Sequence, residues 1–136
     1  MLVGGTGITP MVQALHAILG TAGDPTERVS VLYGSRSADD ILAKSVLDEW
    51  EKGSDRLDVT HVLSAEPEGS AWTGARGFID EALCRAKLPP PGDDVLIFVC
   101  GPPPMYAALC GPRGDDAPFE GLLADMGYAA DSVYKF

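Results

Sequence analysis

The sequence predicts an α/β fold: a Rossmann-like, three-layer αβα domain with a five- or six-stranded parallel sheet. Three observations predict it. Short apolar runs alternate with stretches of helical periodicity along all 136 residues, the pattern of a βαβ series. Two runs, Val29-Ser-Val-Leu-Tyr33 and Val95-Leu-Ile-Phe-Val99, are nearly continuously apolar, as expected of strands covered on both faces. Two runs near opposite ends of the chain, Leu2-Val3 and Val99-Cys100, each stop at glycine and lead at once into a helical stretch.

Taken in order, strands are expected at Leu2–Val3, Val29–Tyr33, Leu57–Leu63, Val95–Cys100 and Ser132–Phe136. Helices are expected at Pro10–Leu19, Asp40–Glu51, Phe78–Ala86, Pro103–Leu109 and Phe119–Met126. Thr9 is placed to cap the first helix, with Pro10 at its first position, where a missing N–H costs nothing. Gly20 and Gly23 end it. Asp39 and Asp40 precede an apolar stripe of Ile41, Leu42, Val46, Leu47 and Trp50, which one helix face would bury. Gly77 turns the chain toward Phe78–Leu83, and Pro89-Pro-Pro-Gly92 is a stiff connection into the next strand. Gly111–Pro118, rich in Gly, Pro and Asp, reads as a mobile surface loop. The first strand is shorter than the usual five or so residues, which leads us to expect a chain that starts partway through a larger protein, or inside its first strand.

Composition narrows the function. A formal net charge of −10, with its ten Lys and Arg scattered singly, argues against nucleic acid, which needs clustered cations. No apolar stretch approaches the roughly 20 residues of a membrane span, so any membrane anchor would lie outside these residues. Cys84, Cys100 and Cys110 form no CxxC pair and read as free thiols of a reducing compartment. His16 and His61 lack metal-ligand spacing, and no metal site is expected. The acidic pairs Asp39–Asp40 and Asp115–Asp116 read as a cap and a loop rather than a catalytic dyad.

The glycine turns carry the chemistry. Gly5-Thr6-Gly7-Ile8-Thr9-Pro10 is G-x-G-x-x-P, in which proline replaces the last glycine of the ordinary dinucleotide fingerprint. Such a turn brings backbone amides and a helix start close to a phosphate. Cys100-Gly101-Pro102-Pro103-Pro104-Met105 is the second turn, nearly a hundred residues later. Together they suggest one dinucleotide held across the carboxyl edge of a parallel sheet.

The strings Gly4-Gly-Thr-Gly-Ile-Thr-Pro-Met11 and Cys100-Gly-Pro-Pro-Pro-Met105, with the terminal Val133-Tyr-Lys-Phe136, resemble the pyridine-nucleotide lobe of the ferredoxin-NADP reductase superfamily. The likeness is greatest to cytochrome b5 reductase and the matching lobe of nitrate reductase, and it runs from Leu2 to Phe136. It implies that residues 1–136 form an NAD(P)-binding oxidoreductase domain, whose FAD-binding barrel lies outside this chain. The implied activity is hydride transfer from NADH or NADPH to FAD, then electron delivery to a haem protein such as cytochrome b5. By the same resemblance Thr6 contacts the nucleotide at its ring end, Gly5 and Gly7 give it room, and Thr9 and Pro10 shape the loop. Cys100 holds the nicotinamide near the flavin, Gly101 allows close approach, Pro102 and Pro103 stiffen the wall beside Met105, and Phe136 sits close to the flavin ring. An intracellular setting is implied, cytoplasmic or associated with mitochondrial or endoplasmic-reticulum membrane in the full-length protein. The pyridine-nucleotide lobe of a nitrate reductase or of an oxygenase reductase component, and a non-catalytic nucleotide-binding module, are the alternatives.

Cofactor choice falls to the end of the third strand. Relatives that use NADH carry Asp there, which accepts from a free ribose hydroxyl and repels a phosphate; this chain carries Ser64. Arg76, twelve positions on, could supply the charge a 2′-phosphate needs, as in NADPH-using nitrate reductases. The opposing reading makes Arg76 a solvated surface residue and leaves the repulsion to Glu66 or Glu68. The expectation is that NADPH is accepted at least comparably with NADH. Arg36, after the second strand, is read mainly as a solvated turn residue that could reach the adenosine end.

Overall fold

Leu2–Gly4 (β1) lies at the middle of the molecule, paired in parallel with Val29–Ser35 (β2) on one side and Ile97–Cys100 (β5) on the other. The computed structural model describes residues 1–114 and 116–136, so the Asp115 half of the expected acidic loop pair lies outside the described residues. Beyond β2 come Leu57–Leu63 (β3) and Ala75–Arg76 (β4), and beyond β5 comes Val133–Lys135 (β6). The order is β4-β3-β2-β1-β5-β6, and every pairing is parallel, so the expectation of five or six strands resolves to six. The chain winds outward from β1 to β4, then returns to the other side of β1. The reversal between β1 and β5 opens the crevice where open α/β sheets bind ligands.

Two apolar cores sandwich the sheet. Ile8–Gly20 (α1) and Lys44–Gly53 (α2) cover one face, where Met11, Leu15 and Leu47 meet Val3, Val31 and Tyr33. Glu81–Lys87 (α3), Pro103–Leu109 (α4) and Leu122–Asp125 (α5) cover the other, where Cys84, Tyr106, Leu109 and Leu123 meet Leu2, Leu32 and Val99. The alternation of Leu2 and Val3, and of Val31, Leu32 and Tyr33, between the two cores is the strand period of two at work. No described helix is long and apolar enough to cross a membrane.

Several boundaries differ from the sequence expectation, each for a local reason. A 3₁₀ turn over Gly5–Gly7 runs directly into α1, so the helix starts at Ile8 with Gly7 before it. Thr9 is therefore inside the helix and not its cap; its hydroxyl donates to the Thr6 carbonyl at 3.0 Å. Pro10 becomes the third helical residue, still among the first four whose N–H has no helical partner. Asp39 and Asp40 belong to a separate 3₁₀ turn, Ala38–Asp40, closed by a capping box in which the Asp40 carboxylate accepts from the Ser37 amide and hydroxyl. Helix α2 begins only after Ala43, which takes the left-handed conformation at φ 55°. Of the expected stripe, Ile41 and Leu47 are buried and Trp50 half-buried, while Leu42 and Val46 face solvent. Asp80, accepting from the Leu83 amide, starts α3 later than expected. The two-residue β4 carries no apolar alternation, and the sequence reading missed it.

Candidate functional site

The two glycine turns meet, and glycine is what lets them. A Cβ added to Gly7 would fall into the Cys100 carbonyl group, 2.6 Å from its carbon and 3.1 Å from the Gly101 nitrogen. A Cβ on Gly4 would come within 2.7 Å of Pro102 Cδ and 2.8 Å of Met105 Sδ. One on Gly101 would reach Met105 Sδ at 2.5 Å and the Gly4 backbone at 3.3 Å. Three glycines of the two motifs thus pack backbone on backbone at the sheet's reversal point. Gly5 differs: its φ is +53°, and an added Cβ would meet nothing within 4 Å. Gly7, read from the sequence as room for a ligand, also makes room for the Cys100 backbone.

Beside this junction lies a cavity of about 940 Å³ along the carboxyl edge, within the size range of small-molecule and cofactor clefts. Gly5, Thr6, Gly7, Ser64, Cys100, Gly101, Pro102 and Met105 line it, as the sequence led us to expect. Thr9, Pro10, Arg76, Pro103 and Phe136 do not line it. The proline step is displaced by one: Pro104, not Pro103, faces the cavity. Gly4, Gly34, Ser35, Gly77, Phe78, Ile79, Ala108, Leu109 and Arg113 also line it unforeseen, together with Arg36, which the sequence marks mainly as a solvated turn residue. Among the described lining residues the charged side chains are Arg36 and Arg113, without a single acid, on a chain of formal charge −10.

Ser64 sits at the end of β3, its amide donating to the Ser35 carbonyl at 3.0 Å, so the ends of β2 and β3 are tied together there. Arg76 is spent elsewhere. Its two terminal nitrogens donate to the carbonyls of Glu66, Pro67 and Trp72 and to the Ser70 hydroxyl, at 2.8 to 3.2 Å. The guanidinium binds the 66–72 loop from within and does not point along the cavity, because the residues inserted before Trp72 offer it a ring of acceptors. The Glu66 carboxylate accepts from the Ala38 amide at 2.8 Å. That bond, with the Ser70 hydroxyl behind it, holds its carboxyl below the usual range. Arg76 and Glu66 are thus both engaged in holding loops, while Glu68, the third charge weighed for cofactor choice, does not line the cavity.

Two tyrosines that sequence reasoning passed over brace the turns. Tyr33 donates its hydroxyl to the Gly5 carbonyl at 3.1 Å and accepts from the Leu42 amide at 3.2 Å. Burial pushes its phenol up. Tyr106 donates to the carbonyls of Val99 at 3.3 Å and Phe136 at 2.7 Å, joining α4 to the strand end before Cys100 and to the last residue. Burial, and after it the neighbouring Cys100, raises its phenol as well. Neither tyrosine gives a sequence signal beyond its place in an apolar run. Phe136 also donates its amide to the Val99 carbonyl and accepts from Arg113 at 2.9 Å, while its ring stands edge-on to Phe98 and Tyr134. Arg113 lies over the Tyr106 ring at 5.3 Å. Cys84 and Cys110 are buried free thiols, and burial pushes Cys84 to about 11 and Cys110 upward; Cys100 alone is half-buried and on the cavity wall.

Comparison with known proteins shows the family of the fold. The profile of the oxidoreductase NAD-binding domain matches residues 1–111. NADH-cytochrome b5 reductase 2 of Debaryomyces hansenii is 43% identical over 140 residues, covering all of this chain and 46% of the relative. Among solved structures, the cytochrome b5 reductase domain of Ulva prolifera nitrate reductase aligns over the whole chain with a TM-score of 0.84 at 31% identity, over 48% of its own length. The CS-b5R domains of human Ncb5or, in the NAD+ form, align over 99% of the chain and 35% of theirs, with a TM-score of 0.78 at 32% identity. The chain therefore spans about half or less of the proteins it resembles. A profile match over residues 1–111, on a parallel sheet whose glycine turns interlock at the reversal point, places this chain in the oxidoreductase NAD-binding domain family.

Proposed function

We propose that this chain binds NADH or NADPH and presents the nicotinamide to a flavin carried by another lobe, as part of a reductase that passes electrons to a haem protein such as cytochrome b5. The observation that carries the reading is the cavity at the reversal point, with two arginines and no acid among its described lining residues. Gly5 fits the group: its left-handed, unobstructed backbone at the cavity wall is where a pyrophosphate could approach amides. Phe78, 81% exposed beside Ile79, offers an aromatic face to a base at the β2–β3 end.

The residues' work is positional. Cys100 and Gly101, fixed by Gly7 and Gly4, form a rigid wall for the carboxamide end of the ring. Thr6 approaches from the opposite turn, and Tyr33 and Tyr106 keep both turns from shifting. Hydride donation is the chemistry the bound nicotinamide supplies, with FAD as its acceptor. Leu96, Phe98, Tyr134 and Phe136 make one face of β5–β6, and Leu96 and Tyr134 are more than half exposed, whereas Ile97, Val99 and Val133 on the opposite face are buried. That half-open aromatic face is the surface proposed to receive the flavin-carrying lobe. The 43% identity to a cytochrome b5 reductase, against 31% to the nitrate reductase domain, favours the first acceptor class.

Alkylation of the thiols tests the reading. Cys100 is expected to react with iodoacetamide and to be protected by NAD+ or NADP+, while Cys84 and Cys110 stay unmodified throughout. Alkylation of Cys100 at the same rate with and without nucleotide would remove it from the site.

A further inference from the structure

We infer that the cleft between the carboxyl ends of α1 and α2 binds a guanidinium group, at a site separate from the nucleotide cavity. Each of these helices connects two parallel strands and runs against them, so both end at the amino edge of the sheet, opposite the glycine turns. A second cavity, of about 380 Å³, opens there. It is lined by His16, Leu19 and Gly20 at the end of α1 and by Glu49, Trp50 and Gly53 at the end of α2. It shares no residue with the nucleotide cavity. Trp50 is half-buried, and its ring meets that of the exposed His16 at 6.2 Å and 51°, so the two rings form adjoining walls and not a closed stack.

Three features select a cation. Both helices bring their negative ends to this corner, a field that draws positive charge and repels anions. Among the described lining residues Glu49 is the one acid, no Lys or Arg is present, and its carboxylate has no hydrogen-bond or ion-pair partner. The Thr21 amide donates to the Ala17 carbonyl and Arg56 to that of Ile18, which closes α1. At the end of α2 no described amide or side chain donates to the carbonyls of Glu51, Lys52 or Gly53. Arg56 is fixed on Ile18 and Thr26, and neither it nor Lys52 lines the cleft. Shape and hydration then choose among cations. An aromatic wall, a carboxylate and open carbonyls suit a flat group with several N–H donors in one plane. A guanidinium stacks on an indole, offers a fork to a carboxylate and is more weakly hydrated than an ammonium. Its source is a free guanidino compound or an arginine on a partner's surface, and the test separates them.

The test follows the two indole N–H signals, Trp50 and Trp72, in the full chain by two-dimensional NMR, with Trp50→Leu identifying the first. Methylguanidine is expected to move the Trp50 signal along a saturable curve and to leave Trp72, outside the cleft, in place. Butylammonium, of equal charge, should bind more weakly. Glu49→Gln should weaken methylguanidine about threefold, the usual worth of an exposed ion pair. Trp50→Leu, read at the Gly53 amide, should weaken it by a similar factor. Glu49 is exposed and unbonded, so Glu49→Gln decides the matter even if Trp50→Leu fails to fold. A Trp50 signal that stays still, or that moves equally with methylguanidine, butylammonium and sodium chloride, overturns the inference, as does unchanged affinity in Glu49→Gln. N-acetyl-arginine methylamide and agmatine separate the sources. Tighter binding of the first assigns the group to an arginine of a partner protein, and tighter binding of the second to a free guanidino amine.

Discussion

The two ends of the carboxyl edge are built on different principles. At the β1–β5 end the turns hold one another by backbone contact: Gly7 lies on Cys100, and Gly4 on Gly101, Pro102 and Met105. At the β2–β3 end the loops are held by side-chain hydrogen bonds: Arg76 to the 66–72 loop, Glu66 to Ala38, Asp40 to Ser37. The first arrangement tolerates almost no change of residue type at its glycines. The second can be rebuilt from many residue types. A domain that must place a reactive ring in one position, yet choose between ribose substituents, gains from a rigid end and an adaptable one.

The sharpest way to break the comparison is Gly7→Ala. Because the obstruction is the Cys100 backbone and not a side-chain tip, the two turns would have to part. A loss of about 3 kcal/mol is expected, at the upper end of overpacking costs. Urea unfolding checks it through a lower midpoint at unchanged slope. A full-strength Gly7→Ala would mean the junction is softer than its contacts imply.

Tyr33→Phe comes next. It keeps the ring and removes the hydroxyl that joins the Gly5 carbonyl to the Leu42 amide, leaving both without that partner. A cost of about 1.5 kcal/mol follows from unsatisfied, partly buried groups. Nucleotide affinity should fall with it, because the Gly5 turn is what the hydroxyl steadies. Stability lost with affinity unchanged would confine Tyr33 to packing.

Gly5→Ala should cost less, about 1 kcal/mol, since only the left-handed backbone at φ +53° resists it and no atom is in the way. Its larger effect should be on binding, because the new methyl stands at the cavity wall. Side by side, Gly7→Ala should damage stability before binding and Gly5→Ala binding before stability. Reversal of that order would undo the division of labour within the motif.

The same contrast explains what could be read from the sequence. Gly-Thr-Gly-Ile-Thr-Pro and Cys-Gly-Pro-Pro-Pro were legible because backbone contact demands glycine and a fixed turn prefers proline, so the constraint is written in residue type. The continuous apolar runs of β2 and β5 placed the central strands for a similar reason. Arg76 misled because its partners are carbonyls of an irregular loop, and carbonyls leave no mark in a sequence. The Ser37–Asp40 capping box and the left-handed Ala43 delay α2. Phe136 was placed by resemblance as a flavin neighbour; the chain shows it as a structural member too, bonded to Val99, Tyr106 and Arg113. Deleting it would disturb β5–β6 as well as any flavin it meets.

The smallest effect tests the join between the two ends. His61, on β3, lies between Tyr33 at 5.6 Å and Trp72 at 6.4 Å, so one aromatic column connects the brace of the Gly5 turn to the loop that Arg76 ties. Both ring nitrogens are buried without a partner among the described residues. Burial first, then Lys44, lowers its pKa, while Asp48 and Glu51 on the same helix act in the opposite direction. Above the unfolded histidine value of about 6.5 the ring is neutral in both states and contributes no pH dependence. As pH falls below that value the unfolded chain takes up the proton more readily than the folded one, so stability declines until the lowered folded pKa is passed. His61→Leu should remove that slope while leaving stability at neutral pH nearly unchanged or improved, because no hydrogen bond is lost. The difference between wild type and His61→Leu in urea midpoints from pH 7.5 to 5.5 measures it. Nucleotide binding by the folded chain should hold while His61 stays neutral and weaken only as pH falls through its lowered folded pKa, if a charged His61 loosens Tyr33; a binding curve flat through that step would show the column to be packing alone.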